Sequence, residues 1–422
     1  MNVKLRWLFV LVAFFSLGSR AQENNNIIGI QVNGNKRLKS SFIKRISFVK
    51  IGEPVDSVLI GEDVARLKRL PAVAHADYKI IASPKGYILE YYVDENFTLI
   101  PSLSLYTTTD DEFAYRVGVN EFNLFGQNIG LGGFYQRDIF DSYGLAFRAP
   151  FLFSKKLGLG VFYQNLTTQE PVFFDNTTAD YSYNNHSLEV LALIQFNLRT
   201  RIEVGGSVFN EKYDYLRGAT SPEVPQQLDV DKHLYKLVFD HNELDFYFQY
   251  LSGIRNTLNV QYVGSSNAAL PNFFITFNDF LYFKRIKTKG NWASRLRLGV
   301  ASNQDSPFAP FAVDNNLNIR GVGNLIDRGT AAIVLNTEYR HTLYEKKWFV
   351  LQGNAFIDAG SWRNPGGDLG DFGQSENLRV YPGLGIRFMH KRIFNAIFRI
   401  DYGWGVTRGD NSGLVFGIGQ YF

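Results

Sequence analysis

Cysteine is absent from all 422 residues. That excludes a disulfide framework and also a lipid anchor on a processed cysteine. Histidine is scarce: His75, His186, His233, His241, His341 and His390 fall in no H-x-x-x-H spacing. No G-x-S-x-G occurs, and no glycine-rich phosphate loop follows a strand and opens a helix. The residues therefore support no catalytic site, no metal site and no cofactor. Net charge is only +4, which gives no reason to expect nucleic acid as a partner. Long apolar runs are missing as well, so spanning helices of ~20 residues are excluded.

The one apolar run, Trp7 to Leu17, stands at the start behind Lys4 and Arg6 and is followed by small residues and "SRAQ". A basic start, a short apolar core and an A-x-A-like end read as a secretory signal peptide over 1–21, cleaved after Ala21. What the chain has in excess is aromatic and glycine residues: 37 Phe, 23 Tyr and 38 Gly. An exported, aromatic-rich chain without spanning helices fits a membrane β-barrel. On composition alone a soluble secreted array of β-sandwiches remains open.

Residues 22–96 differ from the rest. Ile28, Ile30 and Val32 alternate with polar or small residues, a half-buried strand ending at "NGN". Ser40 then stands as cap of a helix with Phe42, Ile43, Ile46 and Val49 on one face. A second helix carries Ile60, Val64 and Leu67 at i, i+4, i+7. Two strands, 73–81 and 87–93, follow around the turn "SPKG". The order strand–helix–helix–strand–strand makes a small α+β domain with helices on one sheet face. "IQVNGNKRLKSSFIKRI", Gly52, "DVARLKRLPAVAHADYKI" and "LEYYVDE" together resemble a polypeptide-transport-associated (POTRA) domain, with "LPAV" replacing the usual Gly-Phe before the second strand.

From 97 to 422 the alternation predicts sixteen strands: 98–107, 112–120, 127–138, 141–149, 156–167, 182–197, 200–212, 232–241, 254–264, 272–284, 291–301, 331–343, 348–358, 378–389, 395–404 and 413–422. "NELDFYFQYLSG" is taken as a turn, which keeps the count even, as in bacterial single-chain barrels. The long connectors all follow odd-numbered strands: "TTQEPVFFDNTTADYSY", "YDYLRGATSPEVPQQLDV", 302–330 and "AGSWRNPGGDLGDFGQSEN". Short joints such as "LRT", "YEKK" and "HKRIF" follow even ones. Long outer loops and short periplasmic turns are the asymmetry of a transmembrane barrel, and a soluble sandwich has no reason to sort its loops this way.

Side chains alternate between the two faces of a strand. Ile333, Leu335 and Tyr339 oppose Asn336, Glu338 and Arg340; Phe349, Leu351 and Ile357 oppose Gln352, Asn354 and Asp358. Val380, Leu384 and Ile386 oppose Arg379 and Arg387, while Phe398, Ile400 and Tyr402 oppose Arg399 and Asp401. A lysine or arginine facing lipid at mid-membrane costs about 2–4 kcal/mol. Glu338, Asp358, Arg387, Arg399 and Asp401 therefore belong to the lumen wall. Glu338 and Asp358, on neighbouring strands, need a cation. Arg320, at the tip of the 302–330 loop and followed by Gly321 and Gly323, is placed to fold inward and supply a planar fork of donors.

"NIRGVG", "FIDAGSW", "YPGLGIRF", "FRIDYGWG" and the closing "GIGQYF" resemble, in order, motifs of the outer-membrane insertase and translocator superfamily, which includes BamA, TamA, two-partner-secretion transporters and bacterial surface antigens. Val322 stands where that family usually has an aromatic tip residue. The resemblance implies a Gram-negative outer-membrane protein with a periplasmic POTRA domain and a sixteen-stranded barrel. It implies insertion of β-barrel proteins, or movement of polypeptide across the membrane. Its partners would be unfolded outer-membrane or secreted polypeptides, periplasmic assembly lipoproteins, and outer-membrane lipid with lipopolysaccharide. The POTRA strand from Val73 through His75, Asp77 and Lys79 to Ile81 is expected to be an edge that accepts an extended client. Leu414, Phe416 and Phe422 are expected on the last strand, at the seam with the first, where Gly413, Gly417 and Gly419 weaken packing. The competing expectation is a passive channel or structural surface barrel.

Overall fold

The computed structural model describes residues 25–422 except 108–112, 175–176, 223, 269, 307–308, 314–317, 323–326, 395 and 408–411. The signal-peptide reading and Gly323 lie outside the described residues. The N-terminal unit is a sheet of β1 (Ile27–Asn33), β2 (Val73–Ser83) and β3 (Gly86–Glu95) in the order β1-β3-β2, with β1 parallel and β2 antiparallel to β3. Helices Ser40–Ile46 and Ser57–Lys68 bury Phe42, Ile43, Ile46, Ile60, Val64 and Leu67 against it.

Two local details differ from expectation. A register shift between Ile27 and Gly29 puts Ile27 and Ile30 in the core and leaves Ile28 exposed. Ser40 is the first helical residue rather than the cap; its hydroxyl takes a bond from Asn35 at 3.0 Å. The second helix is capped as such helices usually are, by Asp56 accepting the Val58 and Leu59 amides. Inside the unit, buried Asp63 accepts the Ser47 hydroxyl at 2.5 Å, the Phe48 and Val49 amides at 2.9 and 3.2 Å and the Tyr91 hydroxyl at 3.1 Å, and pairs with Arg66. Burial pushes the Tyr91 phenol up, so it stays a donor to that carboxylate.

The barrel follows as β4 (Leu99–Thr107), β5 (Phe113–Leu124), β6 (Ile129–Arg137), β7 (Asp141–Ala149), β8 (Leu157–Phe174), β9 (Thr177–Gln195), β10 (Thr200–Gly218) and β11 (Gln227–Asn242). After the three-residue β12 (Asp245–Tyr247) come β13 (Tyr250–Ser265), β14 (Phe273–Ile286) and β15 (Gly290–Ala301). Within the long loop β16 (Phe311–Val313) pairs with β17 (Asp327–Gly329). The wall resumes with β18 (Ala331–Glu345), β19 (Phe349–Arg363), β20 (Leu378–His390), β21 (Ile397–Trp404) and β22 (Ser412–Ile418), which lies beside β4. Sixteen of these strands form the wall, all antiparallel to their chain neighbours, and "NELDFYFQYLSG" adds only the β12 hairpin at the rim.

Leu298, Ile333, Leu335, Ile357, Leu384 and Ile400 lie exposed on the outside. Aromatic pairs edge this belt, Tyr115–Tyr135 and Tyr143–Tyr163 at one end, Trp348–Phe349 and Phe349–Phe388 at the other. A continuous apolar band between two aromatic girdles is the outer surface of a barrel set in lipid.

Loop lengths need correction. Two of the four expected long loops are largely strand: β8–β9 and β10–β11 run on as hairpins whose ladders reach Phe174↔Thr177 and Asp214↔Gln227, leaving 219–226 as the connector of the second. Continuing the ladder satisfies backbone groups that an irregular loop would leave to water. Tyr181–Tyr215 and Tyr183–Tyr213 ring pairs hold these extensions together. The end of the chain departs more. β22 stops at Ile418, Gly419 takes φ 90°, and Gln420, Tyr421 and Phe422 turn into the lumen. Phe422 is thus not on the seam strand; Leu414 and Phe416 are, both exposed on its outer face.

The N-terminal unit sits on four short turns of the barrel. The Lys39 amide donates to the Gly126 carbonyl at 3.0 Å, Phe42 meets Phe151 edge-on, and Lys155 lies over the Phe48 ring at 3.9 Å. Arg69 donates to the carbonyls of Leu198, Asn242 and Leu244, and His75 stacks on Phe248. All four turns follow even-numbered wall strands, so the unit and the short turns share one end, as the loop asymmetry requires.

Candidate functional site: a loop locked in the lumen

The inward face of β18 to β21 carries the expected residues. Their register brings Asn336 opposite Asp358, Gln352 opposite Arg387, and Arg387 opposite Arg399. Glu338, Asp358, Arg387 and Asp401 are buried, and Arg399 nearly so. Hydrogen-bonded strands hold these side chains in place before any loop arrives, which limits the entropy lost on docking.

Arg320 enters from the 302–330 loop with no exposed surface. Its Nε and Nη2 donate to the two oxygens of Asp358 at 2.7 and 2.9 Å, and its own amide adds a 3.0 Å bond. Nη1 donates to Glu338 at 2.6 Å and lies 3.7 Å from Asp401. The bidentate fork on Asp358 is the geometry for which guanidinium is suited and lysine is not. Glu338 also accepts from Arg387 at 2.9 and 3.0 Å and from Arg340; Asp401 accepts from Arg399 at 3.3 Å and Asn354 at 3.2 Å. Every carboxylate oxygen of the network is met, since an unpaired carboxylate here costs several kcal/mol. Arg340 Nη1 and Nη2, Arg387 Nη1 and Arg399 Nε are buried without a hydrogen-bond acceptor among the described residues.

Glycine explains how the tip fits. Gly321 has φ 97°, and a Cβ on it would lie 2.7 Å from Gly403 Cα. A Cβ on Gly403 would run into the Arg320 carbonyl, and one on Gly413 would lie 2.9 Å from the Gly321 carbonyl. The tip therefore packs backbone against backbone on β21 and β22. Ile319 and Val322 fill a small apolar cluster with Val313, Trp362 and Tyr381. Val322, in place of an aromatic, is fully buried there. The loop is also pinned nearer the outer rim, where Arg328 pairs with Glu170 of β8 and Asp327 with Arg379 of β20.

Sequence reasoning did not assign three participants. Arg340 was read as inward but not as a third cation on Glu338. The faces of the Arg320 guanidinium are covered by Phe356 at 3.7 Å and Tyr421 at 4.6 Å, two cation–π contacts. Phe356 shares its strand parity with Asp358, a signal that was legible; nothing marked Tyr421 as internal. Of the expected client edge, β2 does lie at the sheet margin. Val73 is buried in the core, however, and His75 is covered by the β12–β13 hairpin, so the accessible stretch begins at Asp77 and includes Lys79 and Ile81. On the opposite inner wall Arg116, Asn120, Phe134, Phe162, Gln164 and Lys236 help line a cavity of about 460 Å³.

No sequence-family profile matches the chain, and no curated protein matches it in sequence. Solved structures do match in fold. CdiB from Escherichia coli superposes with a TM-score of 0.61 at 11% identity, over 93% of this chain and 76% of that one. CdiB from Acinetobacter baumannii gives 0.58 at 14% identity, over 94% and 74%. BamA from Haemophilus ducreyi lacking POTRA domains 1–3 gives 0.53 at 15%, over 93% and 84%. At these identities the likeness establishes the architecture: the chain has the fold of the BamA and CdiB barrels.

Proposed function

We propose that this chain is a Gram-negative outer-membrane factor that inserts β-barrel proteins into the outer membrane or moves polypeptide across it. The observation that carries the reading is the buried Arg320, delivered by a loop tip to Glu338 and Asp358 inside a barrel of BamA and CdiB fold. A loop tip held in the lumen by buried ion pairs takes up space that an open pore would leave to solute, which favours a barrel that handles polypeptide. In this reading the N-terminal unit is a single periplasmic POTRA domain, and the accessible β2 edge from Asp77 takes up an extended client by strand addition. Clients are unfolded outer-membrane or secreted polypeptides; assembly lipoproteins, outer-membrane lipid and lipopolysaccharide are its surroundings. Leu414 and Phe416 stand on the strand that closes against β4, where a nascent strand would be received.

The test is an Arg320→Ala strain. Heat-modifiable migration of the variant should show a folded barrel, while levels of assembled or secreted clients fall. Unchanged client levels with a folded variant would reject the proposal. A passive channel is the second reading, favoured by the luminal cavity. It requires steady single-channel conductance that deletion of residues 25–95 leaves unaltered.

A further inference from the structure

The segment after β22 is the least expected feature of the chain. Gly419, at φ 90°, redirects it, and its amide still donates to the Ile397 carbonyl at 2.8 Å. Gln420 then accepts from Arg387 Nε at 3.0 Å. The Tyr421 ring is nearly buried and faces three guanidiniums, Arg320 at 4.6 Å, Arg399 at 4.7 Å and Arg295 at 5.8 Å. Phe422 packs against the cluster of Leu244, Phe283 and Ala293 on the floor. Higher on the same strand, Gly413 abuts the Gly321 carbonyl. The last strand and the tail that follows it thus both touch the locked loop tip, the strand through a glycine contact and the tail through an aromatic ring.

We propose that Gly419–Phe422 is an internal ligand of the luminal arginine cluster, so that release of the loop tip and inward-to-outward movement of the last strand are one transition. Tyr421 is the positioning residue. Its ring covers a guanidinium face that both carboxylate partners leave bare, and a cation–π contact between dry partners is strong. When the tip leaves, Tyr421 loses Arg320 as a partner. When the tail leaves, Arg320 loses one of its two aromatic faces. Coupling of this kind is reciprocal by linkage. The coupling itself is independent of any client; its use in opening the seam rests on the reading above.

Because the chain has no native cysteine, single reporters can be placed cleanly. Ile319→Cys reports on the tip and Val415→Cys on the inner face of β22, both sites being buried. In the full-length refolded protein, Tyr421→Ala should raise thiol labelling at position 319 about tenfold or more, the scale of one desolvated cation–π contact. Tyr421→Leu, which keeps apolar bulk, should raise it less, and Tyr421→Phe, which keeps the ring, should raise it least. Reciprocally, Arg320→Ala should expose position 415. Parent-like labelling at 319 in both the Ala and Leu variants overturns the proposal, as does a Phe variant as labile as Ala. If labelling rises but client levels in the Tyr421→Ala strain do not change, the latch stands and the proposed function fails.

Discussion

Removing the Arg320 side chain has an asymmetric effect on its two acids, which makes the lock testable in magnitude. Glu338 keeps Arg340 and Arg387, whereas Asp358 loses both of its side-chain bonds to Arg320 and retains the bond from the residue 320 amide. Leaving one member of a buried pair uncompensated costs roughly 3–5 kcal/mol. At about 1.4 kcal/mol per factor of ten, the population with the tip undocked should rise by roughly two to three and a half orders of magnitude. The sixteen-stranded ladder holds independently of this loop, so the barrel itself should remain folded. Thiol labelling of Ile319→Cys measures the undocked fraction directly when redocking is fast relative to modification. Asp358→Asn added to Arg320→Ala removes the orphaned charge, so the double variant should lie well below the sum of the singles, with a coupling of about 1–3 kcal/mol. A rise below tenfold in Arg320→Ala, or strict additivity in the cycle, would show that apolar packing of Ile319 and Val322 holds the tip instead.

Other expectations are narrower. Gly403→Ala should expel the tip without touching a charge, seen as loop proteolysis in a barrel that still migrates as folded. Asp63→Ala strips the buried acceptor shared by Ser47, Phe48, Val49 and Tyr91, and should destabilise the N-terminal unit by about 3–5 kcal/mol, read as trypsin cleavage within 36–69 while the barrel resists. Arg69→Ala should loosen that unit on the turns, broadening the distance distribution between spin labels at Glu62→Cys and Phe153→Cys; an unchanged distribution would assign docking to the Phe42 and Phe48 contacts instead.

Period-two alternation was enough to orient Glu338, Asp358, Arg387, Arg399 and Asp401, because lipid tolerates so little charge that parity decides the face. The demand for a cation, and the glycine beside Arg320, pointed to the loop. The tail was not legible because Phe422 continues the pattern of the last strand at the seam, and only the φ of Gly419 shows that the strand has ended. The β8–β11 extensions were misread because polar and aromatic residues in them lack apolar alternation. Above the girdle no lipid imposes it, and tyrosine pairing replaces it.

The docking of the N-terminal unit has a mechanical consequence. Its anchors fall on turns between β5 and β13, whereas the arginine lock binds staves from β18 to β22. One half-shell is braced from below and the other from within, and the two devices meet at the Arg328–Glu170 pair and at Leu244, which takes the Arg69 bond and packs with Phe422. Strain applied to the cylinder should therefore pass from one shell to the other through these links, so that a clamshell flexure has first to part Arg328 from Glu170.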